Sequence, residues 1–315
     1  MSQKRKIIVI LGPTATGKSD LAVWLAKKFS GLPRGSSRGE VISADSRQVY
    51  KGMDIGTGKI TKKEMADVPH HLLDVASPKR VFTVARYKKL AEKTIEKILE
   101  RRGLPIICGG TGFYIQSIVD GLVIPDAPPK PQLRKRLARK SVEELFGYLK
   151  KLDPRRAKNI DNKNRVRLVR AIEIAKILGA VPKFKLQKNE KYEFLQIGLT
   201  LEKKSLKTKV QNRLLKRFKS GMVAEVRKLK RSGVSWKRLE EFGLEYRFIA
   251  RYLRGELNKK EMAEKLTTAI TQYAKRQMTW FKRDKRIHWV DPKSKREVEK
   301  LAADFLYDKI QPPNT

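Results

Sequence analysis

Residues 6–29 read KIIVILGPTATGKSDLAVWLAKKF and contain a strand, a turn and a helix in that order. An apolar run typical of a buried strand leads into the turn GPTATGKS (12–19, the phosphate loop), and a helical pattern follows. The turn fits the pattern G-x-x-x-x-G-K-[ST], in which backbone amides and a helix N-terminus face an anion. This order predicts an α/β fold with a phosphate-binding site at a strand end.

The residues of the phosphate loop suit a phosphate ligand. Gly12 and Gly17 permit backbone conformations in which successive N–H groups point at phosphate oxygens. Lys18 adds a positive charge at the terminal phosphates, and the Ser19 hydroxyl can ligate Mg²⁺. The loop alone leaves the reaction open, because hydrolases, kinases and transferases share it.

Further apolar runs alternate with helical patterns along the chain. They are EVISAD (40–45), LPIICGG (104–110), YEFLQIGLTL (192–201) and RIHWVD (286–291). This alternation predicts an α/β fold, a P-loop core with a parallel sheet flanked by helices, plus a helical insertion domain described below. Ligands bind at the carboxyl ends of such strands, where Asp45 and Thr111 follow.

A proline-rich stretch, IPDAPPKPQ (124–132), interrupts the alternation, and the chain then stays helical and basic for about sixty residues. The sequence predicts a P-loop catalytic core formed by 1–121 and 191–315. It predicts a helical, basic insertion domain at 122–190 between two strands of that core.

Charge is the most informative feature of the composition. The chain has 73 Lys+Arg against 33 Asp+Glu, a formal net charge of +40. Basic residues outnumber acidic ones by 16 to 5 between 130 and 176, and by 26 to 8 between 203 and 286. A generally basic proteome would also raise the total, but this concentration favours a polyanionic partner such as nucleic acid.

Composition also excludes several classes of protein. A single cysteine, Cys108, excludes an internal disulfide framework and a cysteine-rich zinc site, and it is expected to be a buried small residue. The long uncharged run 104–119 contains proline, glycine and glutamine, so no membrane span is expected. The first strand begins by about Lys6, which leaves no room for a signal peptide and predicts a cytoplasmic protein.

The two strand-end residues have more than one interpretation. Asp45 could bind Mg²⁺, act as a general base or cap the following turn. Thr111 lies between glycines that permit close approach, but it could equally be a turn threonine.

Other polar and aromatic residues are less specific. His70 and His71 have no partner cluster at metal spacing and are expected to be structural. Tyr273, Trp280 and Phe281 are interleaved with lysines and arginines, which suits stacking on single-stranded nucleic acid. A helix with an aromatic core face and a basic solvated face would give the same pattern.

Seven stretches occur in an order and at a spacing typical of one family. They are GPTATGKS, ISADSRQVYKGMDIGTGK, PHHLLDV, GGTGFYIQSIVDGL, RVRLVRAIE, RFKSGMVAEV and YAKRQMTWF. Together they closely resemble the tRNA dimethylallyltransferase family, from about Ile7 to Trp289. The zinc-finger extension of eukaryotic members has no counterpart, which predicts a bacterial-type enzyme.

The resemblance implies a reaction. A dimethylallyl group would pass from dimethylallyl diphosphate to N6 of adenosine 37, in tRNAs that read codons beginning with U, with release of pyrophosphate. Asp45 matches the family's general base, and Thr111 matches a threonine that positions substrate and leaving group. Mg²⁺ is the implied cofactor, with Ser19 as its ligand.

The resemblance also implies two sets of binding residues and a monomeric enzyme. The diphosphate-binding set is Gly12, Thr14, Ala15, Thr16, Gly17, Lys18, Ser19 and Arg213. The tRNA-binding set is Asp45, Ser46, Arg47, Gln48, Arg134, Val166, Arg167, Leu168, Val169, Arg170 and Gly243. The basic insertion domain would bind the anticodon stem-loop.

Three features depart from the family pattern. FGLEYR (242–247) stands where the family often reads GY, then Lys or Arg, then Glu. Ile270-Thr271 stands where a threonine and an arginine are expected. The loop at 30–39, expected on the surface, is longer than in the family.

Two other functions share part of this evidence. A kinase for a nucleoside or small metabolite would share the phosphate loop and could use Asp45 as base, but it leaves the basic insertion unexplained. A non-catalytic RNA-binding protein would account for the charge, but not for Lys18, Ser19, Asp45 and Thr111 together.

Overall fold

Among the residues that the structure describes, six strands form one parallel sheet. The computed structural model describes residues 4–30, 38–182, 189–200 and 202–307, so most of the expected 30–39 loop lies outside the described residues. The strands are β1 Arg5–Leu11, β2 Gly39–Ser43, β3 His70–His71, β4 Leu104–Gly109, β5 Tyr192–Leu199 and β6 Ile287–Val290. Their order across the sheet is β3-β2-β4-β1-β5-β6.

The chain divides into two compact units, Met1–Gly121 with Lys188–Thr315, and Leu122–Gln187. Within the described ranges, the first unit contains the sheet and ten helices: α1 Lys18–Lys28, α2 Lys62–Met65, α3 Val84–Glu100, α4 Gly112–Val119, α9 Lys203–Lys219, α10 Met222–Arg231, α11 Trp236–Phe242, α12 Leu244–Leu253, α13 Lys259–Phe281 and α14 Lys295–Leu306. The second contains α5 Pro131–Leu137, α6 Val142–Leu152, α7 Pro154–Lys158 and α8 Arg165–Leu178.

Strand β1 has helices packed on both of its faces. Ile7 and Val9 belong to the core cluster that includes residues of α3, α4 and α13. Ile8 and Ile10 belong to the opposite cluster, which includes residues of α1 and α14. A strand buried on both faces needs a continuous apolar run, so the predicted α/β fold with a parallel sheet flanked by helices is confirmed.

The second unit has an apolar core of its own. Leu145 and Leu149 of α6 pack in one buried cluster with Leu168 and Ile172 of α8. Helix α6 begins at a capping box, in which the Ser141 side chain accepts from a backbone N–H one turn later and Glu144 reciprocates.

Strand β3 and helix α14 of the first unit were not predicted from the sequence. Strand β3 has only two residues, both histidine, and so gives no periodic apolar signal. Helix α14 buries Val298, Ala302 and Phe305, whose helical spacing is a signal that could have identified it. Among the described residues, none of the helices is both long and apolar enough to cross a membrane.

Candidate active site

A pocket of about 910 Å³ opens beyond the carboxyl ends of β1, β2 and β4. Its walls include Thr14–Ser19 of the phosphate loop, Asp45–Gln48 after β2 and Gly56–Gly58. Residues of α9, α12 and α13 complete it. This pocket therefore lies at the strand ends, where the sequence predicts a ligand site.

The two loop glycines have different structural reasons. Gly17 has φ 85° and is the N-cap of α1, in the left-handed region that glycine favours. Gly12 has φ 143°, and a Cβ on it would lie 2.6 Å from the carbonyl oxygen of Leu199 at the end of β5. Gly12 does not line the pocket, so its role is to let the loop pass β5.

Lys18 lies partly buried beneath the loop. Its Nζ donates to the carbonyl oxygen of Pro13 at 2.6 Å. Burial lowers the pKa of Lys18 to about 8, and the nearby Arg213 guanidinium contributes to this lowering. A bound anion would favour the charged form of Lys18. The Thr16 hydroxyl also donates to Pro13, so only the backbone of Thr16 is left for an anion.

Asp45 lines the pocket, and Thr111 is hydrogen-bonded to the next residue, Ser46. The backbone N–H of Ser46 donates to Thr111 Oγ1 at 2.9 Å, which joins the ends of β2 and β4. Asp45 Oδ1 accepts from the N–H groups of Arg47 and Gln48 at 2.8 and 3.4 Å. One carboxylate oxygen thus caps the turn, while Oδ2 has no hydrogen-bond partner within the described residues.

The predicted tRNA contacts of the first unit lie together at this pocket. Asp45–Gln48 and Gly243 all line it. Arg47 Nε donates to the carbonyl oxygen of Phe242 at 2.8 Å, directly before Gly243. Gly243 has φ 75° where α11 passes into α12, which explains why glycine is kept there although its neighbours differ from the family pattern.

The other predicted tRNA contacts lie in the second unit. Arg134 donates from Nε and Nη2 to the two oxygens of Glu173, each at 2.7 Å. Val166 is 78% exposed, Arg167 is also exposed, and Val169 and Arg170 are partly buried.

One residue of that set needs correction. The Leu168 side chain is fully buried in the core of the second unit. It lies on the inward face of α8, whereas its neighbours Val166 and Arg167 face outward. The prediction that Leu168 contacts tRNA is therefore wrong for its side chain, and this leucine stabilises the unit by packing.

Arg213 and Arg217 extend from α9 towards the pocket. Arg213 donates from Nη1 to Thr14 Oγ1 and from Nη2 to the carbonyl oxygen of Gly58, both at 3.4 Å. Burial lowers the pKa of Arg213 to about 10. Arg217, which was not predicted from the sequence, donates to Glu245 in FGLEYR, the stretch that differs from the family pattern.

Gln277 is a second residue that sequence reasoning missed. Its Oε1 accepts from the N–H of Thr14 at 3.0 Å, and its Nε2 donates to the carbonyl oxygen of Gly110 at 2.7 Å. The buried amide therefore holds the phosphate loop against the end of β4. The available signal was a glutamine inside the stretch YAKRQMTWF.

Glu225, on α10, fixes the segment between β2 and β3. Its carboxylate accepts from the N–H groups of Asp54, Ile55 and Gly56 at 2.6–3.0 Å. It also accepts from the Tyr246 hydroxyl at 2.8 Å. This single side chain thereby links the stretches GMDIGTGK, RFKSGMVAEV and FGLEYR.

The aromatic residues of α13 divide between core and pocket. Phe281 is buried, whereas Trp280 is 36% exposed and lies against the backbone of Gly112. Tyr273 lines the pocket, and burial raises its pKa to about 12. Ile270 also lines the pocket, at the position where the family pattern predicts a threonine.

The histidines and the cysteine have structural surroundings. His71 Nε2 lies 2.6 Å from Glu40 Oε2, and His70 Nδ1 lies 2.8 Å from the carbonyl oxygen of Val68. Cys108 is buried in β4, and burial raises its pKa to about 12.

The pocket has the donors that Mg²⁺ needs when a diphosphate supplies the rest. Ser19 offers a hydroxyl and Asp45 a carboxylate in the same pocket. The described residues hold no group of three or more His, Cys, Asp or Glu that would make an all-protein site. Mg²⁺ usually binds through one or two protein ligands together with phosphates and water, so these residues fit it.

Comparison with known proteins identifies the family. The family model described as IPP transferase matches residues 48–284. The chain is 41% identical over 289 residues to tRNA dimethylallyltransferase 1 of Geotalea uraniireducens, which covers 90% of this chain and 92% of the relative. The chain belongs to the tRNA dimethylallyltransferase family. The predicted family and enzyme class are therefore confirmed.

Other members and solved structures agree with this assignment. The Geotalea daltonii tRNA dimethylallyltransferase 1 is 43% identical over 90% of each chain. The full-length tRNA isopentenylpyrophosphate transferase of Bacillus halodurans superposes with a TM-score of 0.72 at 34% identity, covering 97% of this chain and 98% of that one. A eukaryotic dimethylallyltransferase acting on tRNA has a TM-score of 0.82 at 24% identity, over 99% of this chain and 81% of its own, and supports the fold alone.

Proposed function

We propose that this protein transfers the dimethylallyl group of dimethylallyl diphosphate to N6 of adenosine 37 in tRNAs that read codons beginning with U. The observation that carries the proposal is one pocket lined by both Lys18 and Asp45, with Thr111 hydrogen-bonded at its wall. An anion site and a carboxylate base in one space are what this reaction needs. Membership of the family is the basis for naming the donor and the acceptor.

The donor diphosphate binds at the phosphate loop. Lys18 and Arg213 neutralise its charge, and backbone N–H groups of the loop hold its oxygens. Ser19 would hold Mg²⁺, which would stabilise the negative charge of the leaving group. As the carbon–oxygen bond breaks, pyrophosphate remains held by these same groups.

Asp45 is the general base for the acceptor. The exocyclic amine of adenine is a weak nucleophile, so it must lose a proton as the new nitrogen–carbon bond forms. Oδ1 of Asp45 is held by the N–H of Arg47, and Oδ2 takes the proton. Thr111 accepts from Ser46 N–H, and its own O–H donates to the departing oxygen.

The tRNA must present an unstacked base to this pocket. Adenosine 37 lies in a stacked loop, and reaching Asp45 requires turning it out of the stack. We assign binding of the anticodon stem-loop to the helical, basic insertion at 122–190, which contains 16 basic and 5 acidic residues between 130 and 176. We also propose that the protein is cytoplasmic and monomeric.

The test is a transfer assay on purified protein with unmodified tRNA, Mg²⁺ and labelled dimethylallyl diphosphate. Mass spectrometry of the nucleosides is expected to find one dimethylallyl group on the adenosine 3′ to the anticodon. Asp45→Asn is expected to lower turnover by about 10²-fold or more, with tRNA affinity within about threefold of wild type. Transfer of an ATP phosphate without prenylation would instead support the kinase, and tRNA binding without any transfer would support an RNA-binding protein.

A further inference from the structure

Two arginines one helical turn apart on α9 converge on a single glycine. A Cβ on Gly58 would lie 1.8 Å from Arg217 Nη2 and 2.4 Å from Arg213 Nη2. Gly58 has φ 58°, so both its backbone conformation and its missing side chain leave room for the guanidinium groups. Both arginines and Gly58 line the pocket.

Arg217 is held by only part of its hydrogen-bonding capacity. Its Nη1 donates to the carbonyl oxygen of Gly56 at 3.1 Å and to Glu245 Oε1 at 2.9 Å. Nε and Nη2 have no hydrogen-bond partner within the described part of the chain, and Nη2 is the atom nearest Gly58. A guanidinium has five N–H donors, so Arg217 retains donors at the pocket wall.

Glu245 supplies the opposite charge. The side chains of Arg217 and Glu245 are each 12% exposed. Burial raises the pKa of Glu245 even though Arg217 opposes the shift. Burial lowers the pKa of Arg213, and the like charge of the neighbouring Arg217 lowers it further. A carboxylate beside the pair reduces the repulsion between these like charges while the pocket holds no anion.

We propose that Arg217 is a second arginine of the diphosphate site and that Glu245 is the positioning residue that holds it there. This inference rests on the proposed function, because it assigns Arg217 to the donor diphosphate. Glu245 by itself repels an anion, so it can stand beside a diphosphate only while Arg217 neutralises it. Loss of Arg217 therefore removes one positive charge from the pocket and leaves the Glu245 carboxylate without its ion-pair partner.

The experiment measures binding of inorganic pyrophosphate with Mg²⁺ by calorimetry. Arg217→Met is expected to weaken binding by about tenfold or more. Adding Glu245→Gln to Arg217→Met is expected to recover about threefold or more, because the uncompensated carboxylate is gone. Arg227→Met is the matched control, since Arg227 is an exposed arginine on α10, and it is expected to change affinity by less than about twofold.

Further readouts separate binding from folding. Arg217→Lys keeps the positive charge but lacks the planar guanidinium group. Its pyrophosphate affinity is expected to lie between those of wild type and Arg217→Met. In the transfer assay, Arg217→Met is expected to raise KM for the donor while leaving KM for tRNA within about twofold. A merely structural Arg217 would change both constants together.

Two results would overturn the inference alone. These are an Arg217→Met affinity equal to that of Arg227→Met, or a double variant no better than Arg217→Met. Lys18→Ala tests the proposed function separately. If wild type binds no pyrophosphate, or Lys18→Ala binds it as well as wild type does, the diphosphate site itself is wrong and the inference falls with it.

Discussion

Two arginine–glutamate pairs, one in each unit, differ in how completely the hydrogen-bonding capacity of the glutamate is satisfied. In the second unit, Glu173 accepts two hydrogen bonds from Arg134, one from the N–H of Lys130 and a longer one from Arg170, at 2.7–3.5 Å. In the first unit, Glu245 has one ion-pair contact, with Arg217 at 2.9 Å. The first pair is saturated, and the second is not.

The pKa values of the two carboxyl groups reflect this difference. Burial alone would raise the pKa of Glu173, but the hydrogen bonds from Arg134 and Lys130 outweigh it and lower the pKa. Burial also raises the pKa of Glu245, and there Arg217 does not reverse the shift. A saturated pair stabilises its unit, whereas an unsaturated pair at a pocket leaves donors for a ligand.

The largest expected effect on stability comes from breaking the saturated pair. Arg134→Met leaves Glu173 buried without its main partner and is expected to lower the free energy of unfolding by about 3 kcal/mol. Urea titration measures it, with Arg139→Met, an exposed arginine of the same unit, as the control. Pyrophosphate affinity is expected to stay unchanged. A loss no greater than that of the control would mean that the pair does not stabilise the unit.

Removing the charge of Glu173 tests the same pair through pH. The folded pKa of Glu173 lies below the unfolded value of about 4.3, so its stabilisation is present above that pH and is lost as pH falls through the folded pKa. Glu173→Gln is expected to cost about 2 kcal/mol at pH 7. The difference from wild type, followed by urea titration from pH 7 to 3, is expected to shrink with acidification. A constant difference would contradict the assignment.

A methyl group at Gly58 tests the unsaturated pair from the opposite side. Gly58→Ala is expected to displace both arginines and weaken pyrophosphate binding by about fivefold. Gly52→Ala is the matched control, because Gly52 has φ 71° but its Cβ would meet only Leu229, at 3.9 Å. Both variants are expected to lose about 1 kcal/mol of stability. Equal binding losses would mean that the effect is strain of the backbone.

The smallest expected effect is at Cys108, which also lines the pocket. Burial holds its pKa near 12, so the group stays a neutral thiol at physiological pH and offers no charge to a ligand. Cys108→Ala is expected to leave pyrophosphate affinity and the prenylation rate within about twofold. A loss of about tenfold or more would show that the thiol takes part in binding or chemistry.

The local part of the site was predictable, because it lies within one continuous motif. Gly17, Lys18 and Ser19 follow a strand and open a helix, and parallel strands bring Asp45 and Thr111 to the same edge. Gln277 was not predictable from spacing, since it bonds Thr14 from 263 residues away. Such a contact depends on how α13 packs, which no local pattern encodes.

The same limit applies to residues taken from the family resemblance as a run. The stretch 166–170 was assigned as a whole to tRNA, but a helix turns its side chains in different directions. Leu168 faces the core while Val166 faces outward. The pairing of Glu245 with Arg217 could likewise not be predicted, because they are 28 positions apart and two helices, α10 and α11, lie between them.

The most direct test of the central claim is a comparison of dimethylallyl diphosphate and ATP as ligands of the same pocket. Calorimetry with Mg²⁺ would be carried out on wild type and on Lys18→Ala. The variant lacks the Lys18 ammonium group, so it is expected to bind any ligand of the phosphate loop more weakly. We expect wild type to bind dimethylallyl diphosphate at least about tenfold more tightly than ATP, and Lys18→Ala to lose that binding. Tight, Lys18-dependent binding of ATP, with weak binding of dimethylallyl diphosphate, would contradict the account.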